Sequence, residues 1–184
     1  EQLGLEAKDL REKVLGKQHP EYARTLGNLA SLYMNVGSYD KAEAFLLQQK
    51  DILEKTVGKE NPDYVLALYN LAFLYKSIRH FTKAEAICLE AIAIAEKTTG
   101  KEHTDYALCL RELAEVYCET DRFDKGEALF LETLAIQEKI LGREHPDYGV
   151  TLSRLGRYYF EKGYFEKAEL PCLEAKVNSE KALG

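Results

Sequence analysis

No stretch of the 184-residue chain approaches the roughly 20 consecutive apolar residues that a membrane helix needs. The N-terminus has no basic region leading into an apolar run, so no signal peptide is visible there. A basic cluster is lacking as well. The 25 Lys and Arg are outnumbered by 31 Asp and Glu, for a net charge of −6. Phosphate backbones are bound by clustered cations, so neither nucleic acid nor a membrane is the expected partner. Cysteine is scarce: Cys88, Cys109, Cys118 and Cys172 form no C-x-x-C pair and match no zinc spacing. They read as small buried hydrophobes in a reducing, cytoplasmic setting, and no metal site is expected. Phosphate-cradling glycine loops, G-x-S-x-G elbows and H-E-x-x-H stretches are all missing. The expectation is a protein that is not an enzyme and carries no cofactor. The initiator Met is missing too, and the expectation is a fragment of a longer protein.

What the chain does have is a period. Tyr22, Tyr64, Tyr106 and Tyr148 stand 42 positions apart, and so do Gly16, Gly58, Gly100, Gly142 and Gly184. The Glu-Lys pairs beginning at Glu12, Glu54, Glu96, Glu138 and Glu180 keep the same step without a gap. Such a period predicts a stack of like units. The boundaries read as a half repeat over 1–20 and repeats over 21–62, 63–104, 105–146 and 147–184, in one array covering 1–184.

Each unit reads as two helices. Leu26, Leu29, Ala30 and Tyr33 fall at i, i+3, i+4 and i+7, which lays one apolar stripe along a helix. The equivalent sets are Leu68, Leu71, Ala72, Tyr75, then Leu110, Leu113, Ala114, Tyr117, then Leu152, Leu155, Gly156, Tyr159. A second helix opens on Tyr39, Phe81, Phe123 or Phe165, with a small residue three on at Ala42, Ala84, Gly126 or Ala168. In the first repeat the spacing predicts helix A over about 21–35 and helix B over about 39–56. Pro20, Pro62 and Pro146 suit a first helical position, where the missing N–H is no loss. His19, His103 and His145 share one loop position with Asn61, and are read as loop structure rather than ligands. Pro171 conflicts with helix B of the last repeat, which must start late or kink. A lone hairpin cannot cover its stripe, so the units must stack.

The pattern L-x2-L-[AG]-x2-Y, followed by an aromatic and a small residue three on, resembles the tetratricopeptide repeat. The stretches Leu26-Gly27-Asn28-Leu29-Ala30-Ser31-Leu32-Tyr33 and Gly142-Arg143-Glu144-His145-Pro146-Asp147 are similar to the 42-residue repeats of kinesin light chains, of the nephrocystin-3 type, and of bacterial arrays joined to CHAT-type domains. The resemblance implies an all-α, right-handed superhelical solenoid of antiparallel helix pairs, used as a scaffold for a protein or peptide partner. The alternative is a regulatory or spacer module of a larger protein, such as one bearing a CHAT-type protease or a nucleotide-binding domain.

In that family the helices A line a concave groove, which implies a binding face on their non-stripe positions. Here these include Arg24, Asn28 and Asn35, then Tyr69, Asn70, Phe73 and Lys76, then Arg111, Glu112 and Glu115, then Arg154 and Arg157. Asn28 and Asn70 share one repeat position, from which an amide can bond a peptide backbone without dictating its sequence. Glu112 and Arg154 replace them in the later repeats. Tyr69 and Phe73, one turn apart, suit an apolar anchor. The acidic residues near Arg111, Arg154 and Arg157 argue against a basic clamp. Finally, the apolar face of residues 1–14 predicts weak self-association through the terminal repeats.

Overall fold

A histidine or asparagine at the entry to each helix A sets where that helix begins. In the computed structural model, which describes residues 2–183, His19 has extended backbone and its Nδ1 accepts the Glu21 N–H at 3.1 Å. Asn61 Oδ1 accepts from Asp63 N–H at 2.9 Å; His103 and His145 Nδ1 accept from Asp105 and Asp147 N–H, each at 3.2 Å. These side chains are N-caps, satisfying one of the donors that every helix start leaves orphaned. That explains why asparagine can stand in for histidine: both place an acceptor two residues before the N–H. Replacing His103 with Ala is expected to cost about 1 kcal/mol in chemical denaturation. His103→Asn should restore that loss, and a variant as unstable as the alanine would contradict the capping role.

Nine helices follow among the described residues: α1 (Gln2–Leu15), α2 (Pro20–Asn35), α3 (Tyr39–Thr56), α4 (Pro62–Ser77), α5 (Phe81–Thr98), α6 (Thr104–Glu119), α7 (Phe123–Ile140), α8 (Pro146–Glu161) and α9 (Phe165–Leu183). The starts of α2, α4, α6 and α8 keep the 42-residue step, as do those of α3, α5, α7 and α9. Among the described residues no strand occurs, and no helix is long and apolar enough to cross a membrane. The tight turns between paired helices rest on left-handed backbone. Gly37 and Gly163 supply it at φ +73° and +80°. Arg79 and Asp121 hold the same turn at φ 59° and 56°, where an L side chain is strained by roughly 1 kcal/mol.

The chain divides into two compact units, one running to Thr98 and the other from Thr99. In the first, α2 packs against α3 and α4 against α5, with α3 in turn against α4 and α1 against α2. Short connections between such closely packed neighbours make each pair an antiparallel hairpin. Leu26, Leu46, Ile52, Leu53, Leu68 and Leu71 are buried in this unit. Helix α1 leaves Leu3, Leu10 and Val14 exposed. In the second unit α6 pairs with α7 and α8 with α9, around Phe130, Leu134, Leu152, Leu155, Tyr158 and Tyr159.

Two signature residues of the repeat bond each other across hairpins. The Tyr75 hydroxyl donates to Glu43 Oε1 at 2.6 Å, and Tyr159 does the same to Glu127 Oε1 at 2.6 Å. The glutamates belong to the Lys-Ala-Glu and Lys-Gly-Glu stretches of α3 and α7, the tyrosines to the helices A that follow. Each bond therefore fixes the register of one hairpin on the next.

Helix α9 starts at Phe165 and runs through Pro171. The proline removes one N–H from the ladder, yet the helix continues because its inner face is tied down. Ala168, Ala175 and Asn178 are buried on that face. The Asn178 amide donates to the carbonyls of Arg143 at 2.6 Å and His145 at 3.1 Å. The cysteines divide differently from the sequence expectation. Cys88, Cys109 and Cys118 are buried, but Cys172, on the helix that carries Pro171, is exposed. Burial pushes the Cys109 and Cys118 thiols up to about 12, with nearby carboxylates adding to the effect, so both stay protonated at neutral pH.

Candidate functional site

The expected face divides between the two units. In the first, α2 and α4 touch directly although α3 lies between them in sequence. Their non-stripe positions form an accessible surface. Arg24, Asn28 and Asn35 are exposed, while Tyr69, Asn70, Phe73 and Lys76 are half-buried. The amides of Asn28 and Asn70 are not engaged by any other described side chain. Lys76 Nζ sits 5.0 Å from the Phe73 ring centroid, which holds the aromatic in place and keeps a cation beside it. Arg24 is drawn aside by Glu21, at 3.0 Å.

The second unit is different. Arg111, Glu112 and Glu115, expected on an open face, are buried at 8%, 2% and 4% exposure. The whole run from Cys109 to Val116 is buried. Helical periodicity sorts residues only when one face meets solvent, and no residue of α6 from Cys109 to Val116 is exposed. These three residues are thus not part of an accessible surface. Arg154 reaches Glu115 at 3.6 Å; Arg157 pairs with Glu161 at 3.7 Å and lies 4.3 Å from the Tyr158 ring centroid. Acidic neighbours hold both arginines, so no basic clamp stands ready for a carboxylate.

Two cavities open on these surfaces. One of about 500 Å³ in the second unit is lined by Pro146, Val150, Ser153, Arg154, Arg157 and Asn178 among others. The other, of about 210 Å³, lies among α2, α3 and α4 and is lined by Pro20, Arg24, Asn28, Gln49, Leu53, Asp63 and Leu66. Sequence reasoning missed Gln49. The signal was present: its equivalents in later repeats are Ala91, Thr133 and Ala175, so a carboxamide stands in a small-residue register. Among the described residues no group of three or more His, Cys, Asp or Glu could hold a metal.

Comparison with known proteins fits this geometry. The sequence profile of the Tetratricopeptide repeat family matches residues 23–97, 64–125 and 106–171. The chain therefore belongs to the tetratricopeptide-repeat family, whose helical arrays serve as protein–protein interaction scaffolds. Among solved structures, BtubC (BKLC) from P. vanneervenii is similar at 28% identity and a TM-score of 0.78, over 100% of this chain and 73% of that one. The nearly identical TPR-like repeats of a candidate kinesin light chain from Podosopora anserina align at 25% identity and a TM-score of 0.70, over 98% of this chain and 86% of that one. Aspartyl phosphate phosphatase F from Bacillus subtilis shares the fold alone, at 13% identity and a TM-score of 0.75, over 97% of this chain and 49% of that one. Among curated proteins no significant match was found.

Proposed function

We propose that the chain is a scaffold that holds an extended peptide segment of a partner protein along the α2–α4 face of its first unit. The observation that carries this is the pair Asn28 and Asn70. They occupy one repeat position on two touching helices, accessible and unengaged, beside the half-buried Tyr69 and Phe73. Each amide offers one donor and one acceptor group, the pattern of a peptide unit, so successive repeats can bond successive stretches of backbone. Phe73 gives an apolar side chain of the partner a surface to displace water from, with Lys76 Nζ 5.0 Å from its ring centroid. Arg154 and Arg157 of the second unit contribute polar contacts rather than a charge clamp, since each already pairs with a glutamate.

A pull-down with this chain as bait, beside the double variant Asn70→Ala, Phe73→Ala, tests the reading. The double variant should bind the captured partner at least about tenfold more weakly, a loss of roughly 1.4 kcal/mol. Its thermal unfolding should change little, because neither side chain is in the buried core. Equal capture by both baits would remove the α2–α4 face from the function.

A further inference from the structure

We infer that the cavity among α2, α3 and α4 is a specificity pocket for a carboxamide side chain, asparagine or glutamine, of the bound peptide. The inference rests on the peptide-scaffold reading and adds what the face selects. Its starting point is Gln49. This side chain is only 6% exposed, and its Oε1 meets no hydrogen-bond donor of the protein. A buried polar atom left so is costly, typically about 1–3 kcal/mol, and calls for a partner from outside the chain, a water or a ligand group. Gln49 lines the cavity of about 210 Å³ whose rim carries Asn28, one of the two groove amides. The pocket and the groove therefore share a wall.

The Gln49 carboxamide can lie here because two repeat positions have changed together. A Cβ at Gly27 would lie 2.7 Å from Gln49 Nε2 and 2.9 Å from its Oε1. Later repeats carry Tyr69, Arg111 and Ser153 opposite Ala91, Thr133 and Ala175. Only the first repeat removes the side chain on helix A and lengthens the one on helix B, which lays a carboxamide across bare helix backbone.

The remaining lining decides the ligand's chemistry. Leu53, Leu66 and Pro20 provide apolar contact for a short aliphatic stem. Of the charged lining residues Arg24 is already paired with Glu21 at 3.0 Å, so a glutamate meets no free cation, and a lysine beside Asp63 has donors only and cannot accept from the Asn28 amide. A neutral tip with both a donor and an acceptor is what remains. A carboxamide can donate to Gln49 Oε1 and accept from the Asn28 amide, and it matches Gln49 in either orientation of that amide.

The test uses the isotopically labelled chain and alanine-based hexapeptides with one central guest residue: Gln, Leu, Lys or Glu. Side-chain amide resonances of Gln49, Asn28 and Asn70 report on pocket and groove separately. The Gln guest is expected to shift Gln49 and Asn28 and to bind about five-fold more tightly than the other guests, one added hydrogen bond. Gln49→Leu should abolish that preference while leaving the Asn70 shift intact. Shifts at Asn70 without Gln49, or equal affinity for all guests, would overturn the pocket and leave the scaffold standing. No shift at any of the three amides would overturn both.

Discussion

Replacing Gly126 with Ala is expected to destabilise the second unit by about 1–3 kcal/mol, although alanine is what the sister repeats carry there. Ala42, Ala84 and Ala168 occupy the equivalent positions. Helix propensity alone predicts the opposite, a gain of about 1 kcal/mol for Gly→Ala in a helix interior. Packing decides the sign. A Cβ at Gly126 would lie 2.4 Å from Cys118 Sγ, 2.8 Å from the Ala114 carbonyl oxygen and 3.3 Å from Cys118 N. The thiol could move, but the carbonyl is helix backbone, so α6 and α7 would have to separate. Combining Gly126→Ala with Cys118→Ala should therefore recover only part of the loss.

Two further glycines of the second unit make the comparison informative. At Gly149, where Ala23, Val65 and Ala107 stand in the other repeats, an added Cβ would lie 2.1 Å from Asn178 Oδ1. Gly149→Ala should displace Asn178 and break its two bonds to the loop carbonyls, a loss of similar size. At Gly156 the one contact below 3 Å is Cys172 Sγ, at 2.6 Å, on an exposed residue. Gly156→Ala should thus cost least, and Cys172→Ala should relieve it. Urea denaturation of the three variants checks the order. Stabilisation by all three would mean that propensity outweighs packing here, and the glycine contacts carry no energy.

These glycines mark where the sequence was legible and where it was not. The 42-residue step placed helix A over about 21–35 and helix B over about 39–56, against observed bounds of Pro20–Asn35 and Tyr39–Thr56. It succeeded because caps, prolines and turn glycines are local signals that recur with the period. The small residue at position 126 or 156 was also readable as a helix contact. Its partner was not, since Cys118 and Cys172 lie on the other helix of the pair and outside the repeated stripe. On α2 and α4 the non-stripe positions read from the period do reach an accessible side. On α6 the same periodicity put Arg111, Glu112 and Glu115 on an open side, and all three are buried. Gln49 lies on α3, a helix B, outside the helix A positions that the repeat pattern points to.

The second large effect lies at alkaline pH. Stability should hold to about pH 10 and then fall steeply between about 10 and 12, with tyrosines ionising as the helices melt. Burial is the largest cause raising Tyr64, Tyr75, Tyr148, Tyr158 and Tyr159 above the ordinary phenol value. Tyr75 is pushed up to about 12 by burial, then by its hydrogen bond to the Glu43 carboxylate and by that charge. Tyr158 and Tyr159 are raised further. The sign follows from linkage. The unfolded chain gives up these protons near pH 10 and the folded chain resists, so stability is complete below the unfolded value and is lost as pH rises toward the folded ones. Exposed lysine pairs also weaken in this range, but surface ion pairs are worth under about 1 kcal/mol each and cannot produce a steep loss. Tyrosinate absorbance and helical circular dichroism, followed together, provide the check. Both should change in one transition. Tyrosines that titrate near 10 while helicity persists would show that their burial carries no energy. The variants separate the hydrogen bond from burial. Tyr75→Phe removes the hydroxyl donor of Glu43 and should cost about 1.5–3 kcal/mol at neutral pH while reducing the alkaline loss. Tyr159→Phe should cost less, because Lys167 still holds Glu127 at 3.0 Å when the hydroxyl is gone.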